Sequence, residues 1–359
     1  MLGSLGQPGD PGCGSPRPLA NLRPLPERSL MLQSSSPPLA HFPPLSMPAS
    51  VEHASDTCTV GLIGIGLMGT VLARRLLEAG FAVWGWDLDP TRRDELRSLG
   101  GTVPTGPGEL ARRGGRLLLS LPHHKVVAEV LGALRHDLSP GCLLIDTSTG
   151  DPTAAEKQAA DLESRGIHYL DATISGSSQV LAAGDAVFLV GGRANDFHAC
   201  ADLWQVLAGK VFHTGPAGSG ARQKLVSNLV LGLNRAALAE GLVFAQSLGL
   251  DPEQTLTLLR ESLAYSRIMD TKGPKMLSRD YTPQARLSQH LKDVRLMLAS
   301  AEGSGLALPL TETHRQILER AEELGWGDAD NSALIEALHP EPGAGVRPPQ
   351  SPAGKITRP

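Results

Sequence analysis

Thr59-Val60-Gly61-Leu62-Ile63-Gly64-Ile65-Gly66-Leu67-Met68-Gly69 is the stretch on which the fold turns. The run up to Ile63 is apolar, too short for a helix and closed by glycine, which reads as a buried strand. Three glycines then follow in G-x-G-x-x-G spacing, and apolar residues recur at helical intervals over 68–79. Strand, glycine turn and helix thus succeed one another within about twenty residues.

Working outward, Ala82-Val83-Trp84-Gly85-Trp86 reads as a second strand and 90–99 as a second helix. Further strands are predicted at 116–121, 142–146, around Tyr169 and at 187–190. Strands separated by helices need crossover connections, which predicts an α/β half with a parallel sheet. After Gly220 the strand signals stop, and 222–248, 252–264, 285–303 and 310–324 all carry helical spacing, which predicts an all-α second half.

The chain has 359 residues, 41 % hydrophobic and 19 % charged, enough for two domains and for a core that needs neither disulfides nor a structural metal. Eleven of the 28 prolines fall within residues 1–57 and six within 340–359. The folded part is therefore expected between proline-rich disordered tails at 1–57 and 339–359, as an α/β domain over 58–215 and a helical domain over 216–338. For the first segment an interaction tail, or a translation start at Met31 or Met47, is an open alternative. A net charge of -4 gives no reason to expect nucleic acid or an anionic membrane as partner. Cys13, Cys58, Cys142 and Cys200 are scattered without metal-ligand spacing, so no metal site is expected and a reduced, cytoplasmic setting is the simplest reading. No uninterrupted apolar stretch reaches the length of a membrane helix, and without a basic segment followed by an apolar one and a small-residue cleavage site, no secretory leader is expected. Arg17, Arg23 and Arg28 among serines would suit a mitochondrial presequence, whereas Asp10, Glu27 and the frequent prolines oppose the amphipathic helix it needs.

The chemistry is expected where strands end. Gly64, Ile65, Gly66, Leu67, Met68 and Gly69 offer a tight turn and the free N–H groups of a helix N-terminus, the arrangement that binds a dinucleotide pyrophosphate; a plain strand-to-helix turn would use the same glycines. Asp87, 18 residues past Gly69, ends the second strand near the spacing of the acid that accepts from an adenosine ribose 2′-hydroxyl. Such a carboxylate favours NAD over NADP, while Arg92-Arg93 could reach a 2′-phosphate or belong to a solvated helix face. Leu121-Pro122 and Asp146-Thr147-Ser148-Thr149-Gly150 end two more strands and would line the cofactor cleft, although Thr149 or Asp151 also suits the N-cap of a helix opening at Pro152. Asp171-Ala172-Thr173-Ile174-Ser175-Gly176-Ser177 reads as a loop whose hydroxyls and N–H groups could hold a carboxylate. Lys224 and Asn228 stand four apart on one helix face; a lysine among apolar neighbours is poised for proton transfer, unless it snorkels to the surface.

Taken in order, the glycine fingerprint, the Asp-Thr-Ser-Thr segment, the Asp-Ala-x-x-Ser-Gly stretch, the glycine-rich turn before Lys224 and Asn228, and the Lys292-Asp293 pair resemble the β-hydroxyacid dehydrogenase family over about 60–324. The resemblance implies a Rossmann-type domain, an all-helical C-terminal domain and a homodimer or homotetramer assembled through its helices. It implies an NAD(P)-dependent oxidoreductase acting on a small hydroxy acid or semialdehyde, with Lys224 as acid/base and Asn228 orienting it. Ser175, Gly176 and Ser177 would bind the substrate, and Thr149 and Lys292 would contact the cofactor. The chain departs from the family pattern at Ser177, Val180-Leu181, Asp185 and Ser227, beside the substrate. Two other readings stay open: imine or ketone reduction on the same scaffold, and a dinucleotide-binding scaffold protein without catalysis.

Overall fold

The structure, a computed structural model, describes residues 59–340. The expectations for residues 1–57, including the starts at Met31 and Met47 and the presequence-like arginines, and for the C-terminal tail beyond residue 340, lie outside the described residues.

Seven strands form one sheet: β1 (Thr59–Ile63), β2 (Ala82–Trp86), β3 (Arg116–Leu119), β4 (Leu143–Asp146), β5 (His168–Ser175), β6 (Val187–Gly191) and β7 (Lys210–Gly215). Their spatial order is β2-β1-β3-β4-β5-β6-β7. Neighbours run parallel from β2 to β5, as expected for crossover connections. β6 is antiparallel to β5, the one reversed pair in an otherwise parallel sheet of the described residues. The connection from Gly176 to Ala186 carries only the short α6 (Ser178–Ala182), and a chain reversal that brief suits an antiparallel pair. β7 escaped the sequence reading because it is an edge strand with no fully buried residue to set up an alternation.

Alternation along the strands divides the core. Val60, Leu62, Leu118, Ile145, Leu170 and Ala172 pack on one face with α1 (Leu67–Glu78), α6 and α8 (Ala201–Leu207). Ile63, Leu117, Leu119, Leu144 and Tyr169 pack on the other with α3 (Pro107–Arg113), α4 (His124–Ala133) and α5 (Pro152–Glu163). Because β2 and β3 flank β1, the order of the strands reverses beside β1, and the ends of β1 and β3 open the crevice where such sheets take ligands. Two further short helices separate strands here: α2 (Pro90–Ser98) and α7 (Ala194–His198).

The helical half is built round α9 (Ser219–Ser247), covered by α10 (Pro252–Arg260), α11 (Ile268–Ser278), α12 (Leu287–Gly303) and α13 (Pro309–Ala321), with a closing 3₁₀ segment at Asn331–Ala337. Leu225, Leu238, Leu242, Leu291, Val294 and Leu318 form its core. By length and mean hydropathy α9 alone among the described residues is apolar enough to cross a membrane. It is not an uninterrupted apolar run, since Lys224, Asn228, Arg235 and Glu240 punctuate it, and much of it is packed against the sheet and the other helices.

Candidate active site

The three glycines of the fingerprint have three different reasons to be glycine. Gly64 has a φ of 94°, and a Cβ there would lie 2.3 Å from the Ser120 carbonyl oxygen. A Cβ on Gly69 would lie 2.0 Å from the Gly64 carbonyl oxygen, so α1 can cross the turn only with hydrogen at that position. A Cβ on Gly66 would meet no described atom within 4 Å beyond its own helix and chain neighbours: it would enter open space. Gly66 caps α1 without a side-chain bond, so the first N–H groups of that helix lack an intrahelical partner. An anionic pyrophosphate fits there, drawn by unsatisfied N–H groups and the helix dipole.

Asp87 is already engaged. Its Oδ2 accepts from the Ile65 N–H at 2.7 Å and its Oδ1 from the Asp89 N–H at 2.9 Å, so the end of β2 braces the glycine turn. Arg93 folds back to donate to the Asp87 and Leu88 carbonyls, with its guanidinium 4.6 Å from the Trp86 ring centre, and Arg92 pairs with Glu95. A ribose hydroxyl would join this cluster at the edge of the carboxylate.

At the next two strand ends the Leu121 N–H donates to Ser148 Oγ at 3.0 Å, which draws the Leu121-Pro122 turn onto the segment holding Thr149. Asp151, not Thr149, caps α5 by accepting from the Thr153 N–H at 2.9 Å, leaving Thr149 uncommitted to that helix. His124 Nδ1 accepts from the Asp151 N–H at 3.3 Å. Burial lowers the His124 pKa, and Lys292, acting across from α12, lowers it further. Lys292 Nζ, on α12, is buried and has no hydrogen-bond partner among the described residues.

The 171–175 segment belongs to β5 and is not the expected loop. Asp171 accepts from the Gly218 and Ala221 N–H groups, each at 2.8 Å, and Thr173 Oγ1 donates to the Gly220 carbonyl at 3.1 Å. The start of α9 is thereby fastened to β5, so Ser175, at the strand end, and Lys224, in the second turn of α9, grow from one joint. Burial pushes the Asp171 carboxyl up to about 6, against the pull of the helix N–H groups. Gly176 is exposed, whereas Ser177 Oγ accepts from the Val180 N–H and caps α6.

Lys224 and Asn228 are each only 8 % exposed. That disposes of a snorkelling lysine. Burial pushes the Lys224 ammonium down to about 8, and Asp293 partly opposes the shift. Asn228 Nδ2 donates to Asp293 Oδ2 at 3.3 Å. Asp293 is raised by its own burial and lowered by Lys292, Lys224 and Asn228. Each member of the Lys224 and Asp293 pair is thus biased toward its neutral form, with desolvation as the shared cause.

The fold joins Ile65 to Asp87, Leu121 to Ser148, and Lys224, Asn228 and Lys292 to Asp293. His124 and Asp171 did not stand out as site residues in the sequence. The signal for His124 was its position just after a strand end, and Asp171 was hidden because its partners lie some 47 residues on. Among the described residues no cluster of three metal-ligating side chains occurs.

The family profile described as the NAD-binding domain of 6-phosphogluconate dehydrogenase matches residues 59–215. That described as the NAD-binding of NADP-dependent 3-hydroxyisobutyrate dehydrogenase matches 218–338. L-threonate dehydrogenase of Cupriavidus necator is 32 % identical over 77 % of this chain and 95 % of its own. Glyoxylate/succinic semialdehyde reductase 1 of Arabidopsis thaliana is 29 % identical over 78 % and 98 %. The 3-hydroxyisobutyrate dehydrogenase of Mycobacterium tuberculosis, solved with L-serine, superposes with a TM-score of 0.73 at 28 % identity, over 78 % of this chain and 99 % of that one. An imine reductase from Pseudomonas sp. shares the fold at 24 % identity and a TM-score of 0.54, over 78 % and 99 %. A dinucleotide cradle at the end of β1, a buried lysine on the helix that leaves the sheet, and relatives matched over nearly their whole length converge on one conclusion: the chain belongs to the β-hydroxyacid dehydrogenase family of NAD(P)-dependent oxidoreductases.

Proposed function

We propose that the chain catalyses reversible hydride transfer between NAD(P) and the carbinol carbon of a small 3-hydroxy acid or its semialdehyde, with Lys224 as general acid/base. The observation that carries this reading is Lys224 itself: a buried ammonium pushed down to about 8, beside an amide held in place by a carboxylate. A group poised close to working pH exchanges protons at least cost in either direction, which is worth about 10²- to 10⁴-fold in rate. In oxidation the neutral amine takes the hydroxyl proton; in reduction the ammonium returns it to the carbonyl oxygen. Bound nicotinamide supplies the redox chemistry. Asn228, anchored on Asp293, orients the reacting oxygen and the amine.

Gly64 to Gly69, Asp87, Leu121, Pro122, Thr149 and Lys292 would hold the dinucleotide. Ser175 and the Gly176 N–H would take the substrate carboxylate, while Ser177, busy capping α6, contributes through its backbone. NAD is the preferred cofactor, since Asp87 repels a 2′-phosphate. Exposed Val226, Val230, Leu231 and Phe244 on α9 support a homodimer or homotetramer built on that helix. The buried, unpaired Cys142 and Cys200 suit a reducing cytoplasm.

Initial rates with a panel of small hydroxy acids, semialdehydes and cyclic imines, with NAD(H) and NADP(H), test the reading. Turnover of a hydroxy acid that is lost in Lys224→Ala is the expected result. Turnover of imines alone, or dinucleotide binding without turnover of any member, would overturn it.

A further inference from the structure

Behind the catalytic lysine, the helical half holds a second polar cluster that the reaction does not use. Lys224, Asn228, Gly232 and Arg235 follow one another on one face of α9, with spacings of four, four and three. Arg235 is only 2 % exposed, yet its Nε and Nη1 have no hydrogen-bond partner among the described residues. His290 on α12 and His314 on α13 are buried with their ring centres 5.2 Å apart, and neither Nε2 has a partner among the described residues. Gly232 lies against both: a Cβ there would come within 2.7 Å of His290 Nε2 and of His314 Cε1.

The carboxylates that face this cluster are spent. Asp330 accepts from Lys272 on α11, from the Gln284 and Ala285 N–H groups and from Ser332. Asp293 accepts from Asn228 and sits in the field of Lys224 and Lys292. Burial pushes Arg235 down only to about 10, so it stays charged at neutral pH, whereas His290 and His314 are driven down by burial and by Arg235 and stay neutral. Arg235 and Lys272 thus share the single carboxylate of Asp330, which leaves one positive charge in excess amid nitrogens able to donate. A desolvated charge left so is among the most unfavourable arrangements a folded protein can hold, and native interiors rarely leave several polar atoms unpaired in one place. Water could accept the hydrogen bonds but would not neutralise the charge.

We propose that Arg235, with N–H groups of His290 and His314, forms a buried binding site for one small inorganic anion of the halide class. Both imidazoles press on Gly232, a crowding that favours a monatomic ion over a bulkier oxyanion. Asn331, buried on the 3₁₀ segment that packs against α9 and α13 and without a partner for its side-chain oxygen among the described residues, can turn its amide to present Nδ2.

The test uses the full-length protein, freed of halide by dialysis. A crystal grown in bromide should show an anomalous peak among Arg235, His290 and His314. Thermal unfolding should shift upward with chloride, saturably, and by roughly 5 °C at a hundred times the dissociation constant. Gluconate at matched ionic strength should give no such shift. Arg235→Met, which removes the charge at similar volume, should fold as stably as the parent in gluconate and lose the chloride response. Water alone at the bromide position, or equal responses to chloride and gluconate in the parent, or a chloride response retained in Arg235→Met, would each overturn the proposal.

Discussion

Asn228 donates to Asp293 at 3.3 Å, and this single side-chain bond ties α9 to α12 immediately beyond Lys224. Both partners are buried, so removing one leaves the other unsatisfied. Asn228→Ala should lower unfolding free energy by about 1 to 3 kcal/mol and kcat by at least about tenfold, because the amine loses its neighbour and Asp293 its donor. Urea unfolding and steady-state kinetics read the two effects separately. A variant with the parent's kcat would remove Asn228 from the mechanism.

Lys224→Ala should keep NADH affinity nearly unchanged while kcat falls by about 10²- to 10⁴-fold, the worth of a positioned acid/base. Fluorescence titration of NADH and rates at saturating substrate separate binding from chemistry. Equal kcat in variant and parent is the result that contradicts the assignment.

The pH dependence follows from the sign of the Lys224 shift, down from 10.5 to about 8. Oxidation needs the neutral amine, so its rate should rise with pH and level off above about 8. Reduction needs the ammonium and should fall over the same range. In stability, the unfolded chain binds more protons than the folded one between pH 8 and 10.5, so this group makes stability rise with pH in that window. Lys224→Met should flatten that segment of the stability profile; a slope unchanged from the parent would show that the lysine is not desolvated.

Gly66→Ala and Gly69→Ala should fail differently. A methyl at Gly69 collides with the Gly64 carbonyl oxygen, so that variant should be destabilised by about 1 to 3 kcal/mol. A methyl at Gly66 meets open space, so the thermal midpoint should hardly move while dinucleotide affinity drops by at least about tenfold, the methyl occupying the pyrophosphate's place. Thermal melts and NADH titrations decide. Undiminished binding in Gly66→Ala would move the pyrophosphate elsewhere.

Asp87→Ala should weaken both cofactors, since the carboxylate no longer holds the Ile65 and Asp89 N–H groups. NAD should lose more than NADP, because a ribose acceptor goes and the repulsion of a 2′-phosphate with it. An unchanged ratio of the two affinities contradicts the ribose assignment.

Local spacing determined a good deal of this protein. The glycine turn between β1 and α1, the strands up to β4, the capped start of α5 and the placement of Lys224 and Asn228 on one helix face all follow from periods of two and 3.6 and from the backbone needs of glycine and proline, which act within a few residues. Tertiary structure alone decided that β6 turns back against β5, that Asp171 fastens α9 to the sheet, that Asp87 braces the glycine turn, and that Asp293 arrives from α12 to hold Asn228. It also decided the chemistry of Lys224. Whether an ammonium is hydrated or desolvated depends on which distant elements cover it, and that is set by packing across the whole chain, not by its neighbours in sequence.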